Sequence, residues 1–132
     1  LGVRLAQLDK STQEVAKWLQ ARPEIALVLH PALPDCPGHD IWKRDFTGSA
    51  SVFSIVFNND WTPERIMRFV DALKLFKIGY SWGGVTSLVM AYESLGRANR
   101  NYGRQLVRLN IGLEEPQDLT GDLEQALRHA VE

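Results

Sequence analysis

Residues 106–111 read Leu-Val-Arg-Leu-Asn-Ile, and this run constrains the fold more than any other. Alternation places Val107, Leu109 and Ile111 on one side of an extended segment and Leu106, Arg108 and Asn110 on the other. The pattern predicts a strand with one apolar face, which must be covered, and a second face carrying a guanidinium. The cover is visible on either side in the sequence. Thr62 followed by Pro63 has the form of an N-cap and first helical residue, after which Ile66, Phe69, Val70 and Leu73 recur at i, i+3, i+4 and i+7. Leu119, Leu123, Ala126, Leu127 and Ala130 predict a closing helix, within which Gly121 costs about 1 kcal/mol relative to alanine.

The remaining elements follow from the same periodicities. Leu8, Val15, Trp18 and Leu19 predict an opening helix that ends near Arg22 and Pro23, with Ser11 and Glu14 forming a capping box that restarts or reinforces it. Two apolar, β-branched runs, 25–30 and 52–57, predict strands. Between them, 31–38 holds three prolines that forbid regular hydrogen bonding, and 39–46 has room for a short helical turn. Short strands are expected at 75–78 and 85–90, on either side of Gly79-Tyr80-Ser81-Trp82-Gly83-Gly84, and 92–103 reads as a long polar connection. Most connections are too short for helical crossovers. The expected class is therefore α+β, an antiparallel-rich or mixed sheet with helices packed on one face rather than a doubly wound sheet.

The 132 residues amount to one domain, 1–132, able to bury a core without disulfide or metal support. No apolar run approaches the roughly 20 residues that a membrane span requires. A net charge of −1 with scattered arginines gives no polyanion-binding surface, so neither nucleic acid nor membrane is expected as a partner. The single cysteine, Cys36, cannot form an internal disulfide, and cytoplasm is the default location. The chain opens on Leu1 with no initiator methionine and no charged-then-apolar leader, and reads as a fragment.

Chemistry can sit in few places. Arg108 presents forked donors that match a carboxylate, off the core face of its strand. Taken alone, it reads more readily as a solvated surface arginine or half of a structural ion pair. Ser81, Trp82, Gly83 and Gly84 can expose a hydroxyl and backbone N–H groups to an anion, or form an ordinary glycine-rich turn. His30, Cys36 and His39, with Asp35 and Asp40, fit no standard zinc spacing and offer only one thiolate, so no metal is expected. Glu114, Glu115 and Asp118 stand where the closing helix begins, and are expected to be solvated partners of its dipole.

Taken in order, His30-Pro31, His39 through Phe46 with Gly48, Leu75-Phe76, Ser81-Trp82-Gly83-Gly84, Ser87-Leu88, Val107-Arg108-Leu109 and Ile111-Gly112-Leu113-Glu114 with Asp118-Leu119 resemble the C-terminal region of the Cys/Met-metabolism pyridoxal-phosphate enzymes. Trp82 and the stretch Trp42-Lys43-Arg44-Asp45-Phe46-Thr47-Gly48 look like the cystathionine β-lyase branch, since the γ-synthase and γ-lyase branches more often carry leucine in place of Trp82. The resemblance implies the small C-terminal domain of a fold type I transferase, preceded in a longer, homo-oligomeric parent by a cofactor-binding domain. It implies that Arg108 binds the substrate α-carboxylate with Ser81 and Trp82 assisting. The implied reaction of the parent is β-elimination of L-cystathionine to homocysteine, pyruvate and ammonia, with pyridoxal 5'-phosphate as cofactor. Lys10, Lys17, Lys43, Lys74 and Lys77 do not stand in the family's cofactor-lysine context. No catalytic, cofactor-binding or metal-binding residue is therefore expected within the fragment, and the fragment alone is expected to be inactive. The same domain of a γ-synthase, a γ-lyase or another cysteine-S-conjugate lyase is the nearest alternative, and a non-enzymatic ligand-binding α+β domain is a more distant one. Thr86 departs from the glutamate that the family usually shows before Ser87, and the loss of that carboxylate is expected to alter a hydrogen bond supporting the Gly-Gly loop.

Overall fold

The computed structural model describes residues 1–92 and 102–132. Helix α1 (Gly2–Gln20) leads into strand β1 (Ile25–Leu29), followed by a proline-rich turn region, α2 (His39–Asp45), β2 (Val52–Phe57) and α3 (Pro63–Ala72). Then come β3 (Lys77–Ile78), β4 (Leu88–Ala91), a 3-10 turn (Gly103–Gln105), β5 (Leu106–Asn110) and α4 (Pro116–Ala130). The five strands form one sheet in the order β1-β2-β5-β4-β3, antiparallel except for the β3–β4 pair. The α+β class read from the sequence is the observed one. Most of the polar connection expected over 92–103 lies outside the described residues.

The arginine-bearing strand is central. On its core face Val107 is paired with Ile55 and Ala91, and Leu109 with Phe53 and Val89. Three helices cover this face. Val15, Ala16 and Leu19 of α1, Ile66, Phe69 and Val70 of α3, and Leu119, Leu123, Ala126 and Leu127 of α4 join the strand residues in one buried cluster. Each leucine or isoleucine fully withdrawn from water there contributes about 1.5–3 kcal/mol before the entropy of ordering is subtracted. Phe57 anchors one end of the core, stacked on Trp61 at 4.6 Å and edge-on to Phe69 at 5.3 Å.

Several local expectations are corrected by tertiary contacts. Helix α1 runs unbroken from Gly2, and Ser11 is buried within it, its hydroxyl accepting from Gln7 Nε2 at 3.1 Å, so no capping box restarts the helix. The Thr62 cap does form, with Oγ1 accepting from Arg65 N–H at 3.2 Å. Strand β3 is two residues rather than four because the Asp122 carboxylate takes the N–H groups of Lys74 and Leu75, at 2.9 and 2.8 Å, and of Phe76 at 3.4 Å. Asp122 is a buried member of α4, and these donors are what make its burial tolerable. Strand β4 begins at Leu88 rather than at residue 85 because the residues before it bond to groups on and beyond β5.

Candidate functional site

The second face of β5 carries the polar residues. Arg108 sits between Ser54 of β2 and Met90 of β4, and Asn110 between Val52 and Leu88. Beside them the chain leaves β3 at Gly79 and returns at Leu88, and this excursion holds Ser81 and Trp82. The half-buried Arg108 donates from Nη2 to the carbonyl oxygens of Gly79, Tyr80 and Ser81, the Tyr80 contact being the shortest. Its guanidinium lies 5.6 Å from the centroid of the Trp82 ring, and Trp82 is 64% exposed. The three sequence candidates are thus brought together, with the tryptophan face against the cation.

The excursion is fastened along its length by β5 and the residues that follow it. Asn110, fully buried, accepts at Oδ1 from Gly83 N–H at 3.0 Å and from Ser51 Oγ–H at 2.8 Å, and donates from Nδ2 to the Thr86 carbonyl at 3.3 Å. Gly83 has φ of 79°, the left-handed conformation that suits glycine. Leu113 N–H donates to the Val85 carbonyl at 2.9 Å. Glu114 accepts from both Ser87 N–H at 3.0 Å and Ser87 Oγ–H at 2.8 Å, while Ser87 Oγ accepts from Gly112 N–H at 2.9 Å. A Cβ on Gly112 would stand 2.2 Å from the Val85 carbonyl oxygen, so glycine is required by the close approach of the two backbones.

Glu114 is therefore not the solvated dipole partner expected from sequence. It precedes α4, whose N-cap is Glu115, and it holds the end of the loop. Glu115 and Asp118 are exposed, as expected. Thr86 is exposed and contributes its carbonyl, and the carboxylate that supports this loop comes from Glu114. Asn110 and Glu114 were missed as site residues because their loop partners lie 24–27 residues away in sequence; the one available signal was an amide on the arginine's own strand face.

Chemically, the arrangement offers a fixed cation at a loop edge. The Nη2 donors are engaged by loop carbonyls, whereas Nε and Nη1 donate to none of the described residues, which suits recognition of a small anion such as a carboxylate. A cofactor cradle is a different matter. Lys74 and Lys77 are exposed, and Lys77 Nζ donates to the Lys74 carbonyl at 3.2 Å. Among the described residues, no lysine amine donates into the loop beside Arg108.

The proline-rich turn uses its polar groups locally. His30 is buried, its Nδ1 accepting from Ala32 N–H at 3.1 Å, and His39 Nδ1 contacts the Pro31 carbonyl at 2.6 Å. No cluster of three potential metal-ligating side chains occurs among the described residues. Burial pushes the His30 imidazole below its ordinary pKa, against an opposing pull from Asp9 and with a smaller push from Lys17. For Asp9 burial pulls upward, but hydrogen bonds from Ser49 and Gln13 outweigh it and hold the carboxyl below the usual range. Asp9 opens onto a cleft of about 850 Å³ between α1 and α2, walled by Leu5, Ile41, Trp42, Phe46 and Val52; Arg108 is not part of its lining.

Against this geometry, the family model described as Cys/Met metabolism PLP-dependent enzyme matches residues 1–128. The chain belongs to that family. Among its relatives, the cystathionine beta-lyase of Escherichia coli is 41% identical, over 99% of this chain and 35% of the relative. The L-alanine/L-glutamate racemase of Wolbachia pipientis is 40% identical, over 96% of this chain and 32% of the relative. The solved metB structure from Corynebacterium glutamicum superposes with a TM-score of 0.84 at 31% identity, over 96% of this chain and 34% of that one. The Cys/Met family chain described here thus spans about a third of the length of these relatives. No helix among its described residues is long and apolar enough to cross a membrane.

Proposed function

We propose that this chain is the substrate-carboxylate-binding, C-terminal domain of a PLP-dependent cystathionine β-lyase. The observation that carries the reading is Arg108, held at the loop edge by three carbonyls and faced by the Trp82 ring, with Nε and Nη1 donating to none of the described residues. In this reading Arg108 binds the α-carboxylate of cystathionine, while Ser81 and Trp82 shape the wall beside it. Clamping the carboxylate fixes rotation of the amino acid and aims its Cα–H bond, a positioning contribution to rate. The cofactor supplies electron withdrawal from the substrate Cα when bound; the residues that hold it, including its lysine, belong to a preceding domain of a longer polypeptide. The 132 residues alone bind no cofactor stably and turn over no substrate.

The decisive test is product analysis with the whole protein that carries this chain. Pyruvate and homocysteine from L-cystathionine support β-cleavage. Formation of 2-oxobutyrate instead assigns the domain to a γ-cleaving member, and interconversion of alanine enantiomers without C–S cleavage assigns it to an activity like that named for the Wolbachia relative. A full-length protein with no pyridoxal absorbance and no such product sinks the enzymatic reading and leaves a ligand-binding domain. A stoichiometric pyridoxal spectrum from the isolated 132 residues contradicts the placement of the cofactor outside them.

A further inference from the structure

We infer that Asn110, oriented by Ser51, is a positioning residue that sets where Ser81 and Trp82 stand relative to Arg108, and so determines how well the site accepts a carboxylate. The inference deepens the carboxylate-site reading and rests on it. Asn110 is two residues beyond Arg108, on the same face of the same strand, so any shift of the loop against Asn110 is also a shift against the guanidinium. The side chain is 1% exposed and uses both ends of its amide. Its orientation follows from its partners: Gly83 N–H can only donate and the Thr86 carbonyl can only accept. The Ser51 hydroxyl adds a second donor on Oδ1, and Ser51 is itself buried, with its carbonyl accepting from Ile111 N–H at 2.9 Å.

The amide thereby does for an irregular loop what a ladder partner does for a strand. It satisfies a donor at position 83 and an acceptor at position 86 across the narrow end of the excursion, and locks the left-handed turn at Gly83 that follows Trp82. A carboxylate at position 110 would repel the Thr86 carbonyl, and a hydroxyl has too short a reach to serve both groups. An apolar residue would strand the Gly83 N–H. The loop is otherwise tied at Arg108 before Trp82 and, from Val85 onward, at Leu113 and Glu114, so loss of Asn110 frees the Trp82–Gly84 segment while both flanks stay attached.

The test compares Asn110→Ala, Ser51→Ala and Arg108→Lys in the whole protein that carries this chain. Two readouts are used: amide hydrogen exchange of the 79–87 segment, and steady-state KM and kcat with L-cystathionine. Asn110→Ala should speed exchange of the segment and raise KM, each by about tenfold, with kcat within about twofold. Ser51→Ala should move both readouts the same way by about two- to threefold, because it removes one of two donors to Oδ1. Unchanged exchange and unchanged KM in a folded Asn110→Ala protein overturn the inference; if that protein does not fold, unchanged values in Ser51→Ala overturn it. A fall in kcat/KM without faster exchange of the 79–87 segment also counts against it. Arg108→Lys separates the two readings: if it leaves KM unaltered, the carboxylate site itself is wrong, whereas a raised KM beside a silent Asn110→Ala removes only the positioning role.

Discussion

Strand β5 has two faces built on different terms. Val107 and Leu109 are closed in by three helices and by neighbours on β2 and β4, and nothing there depends on direction. Arg108 and Asn110, interleaved with them, make directed hydrogen bonds to a loop that has almost no ladder of its own. The core face is held by area removed from water, so its loss is felt as global stability. The polar face is held by a few bonds of about 0.5–1.5 kcal/mol each, so its loss is felt as local geometry. A rigid strand thus serves as the fixed reference against which a less regular loop is set.

The sharpest way to break this contrast is to cut each face separately. Leu109→Ala opens a cavity in the wholly buried centre of the sheet and should cost about 2–5 kcal/mol in a denaturant titration. A loss below 1 kcal/mol would mean that the core is not the source of global stability. Arg108→Lys, one residue away, should change that stability by less than about 1 kcal/mol while, on the proposed reading, raising the whole protein's KM for cystathionine by roughly 10–100-fold, because lysine keeps the charge and loses the fork. Equal effects of the two on unfolding would erase the distinction between the faces.

Gly112→Ala sharpens the comparison at the border, where the loop backbone lies against the chain leaving β5. The clash with the Val85 carbonyl should cost about 1–3 kcal/mol and be seen as loop movement by hydrogen exchange before the unfolding midpoint shifts much. The smallest effect belongs to His30. Because burial depresses its pKa, the unfolded chain binds the extra proton more readily, so its contribution to stability is full above the unfolded value near 6.5 and is lost as pH falls below it. Protonation also places a proton on Nδ1 against the Ala32 N–H that it now accepts. Replacing His30 with glutamine should flatten stability measured between pH 7 and pH 5; an unaltered pH dependence would assign the acid sensitivity elsewhere, Asp9 being the next group whose depressed pKa works in the same direction at lower pH.

The sequence by itself determined which face of β5, α3 and α4 is buried, because apolar periodicity reports burial directly. The residues 107 and 109 on one side of β5 with 111 just beyond it, the cap at Thr62 and the closing helix were all legible on that basis. Motif order was enough to show the family and to single out Arg108, Ser81 and Trp82, which the fold brings together. Tertiary structure alone decided the polar pairings. Asp122 shortens β3, Glu114 leaves the helix dipole to hold Ser87, and Asn110 binds a loop whose contacts are 24 and 27 residues distant. An apolar side chain needs only to be inside, a property carried by its own position in a pattern. A buried polar side chain needs a particular partner at a particular angle, and that partner is supplied by the folded chain rather than by its neighbours in sequence.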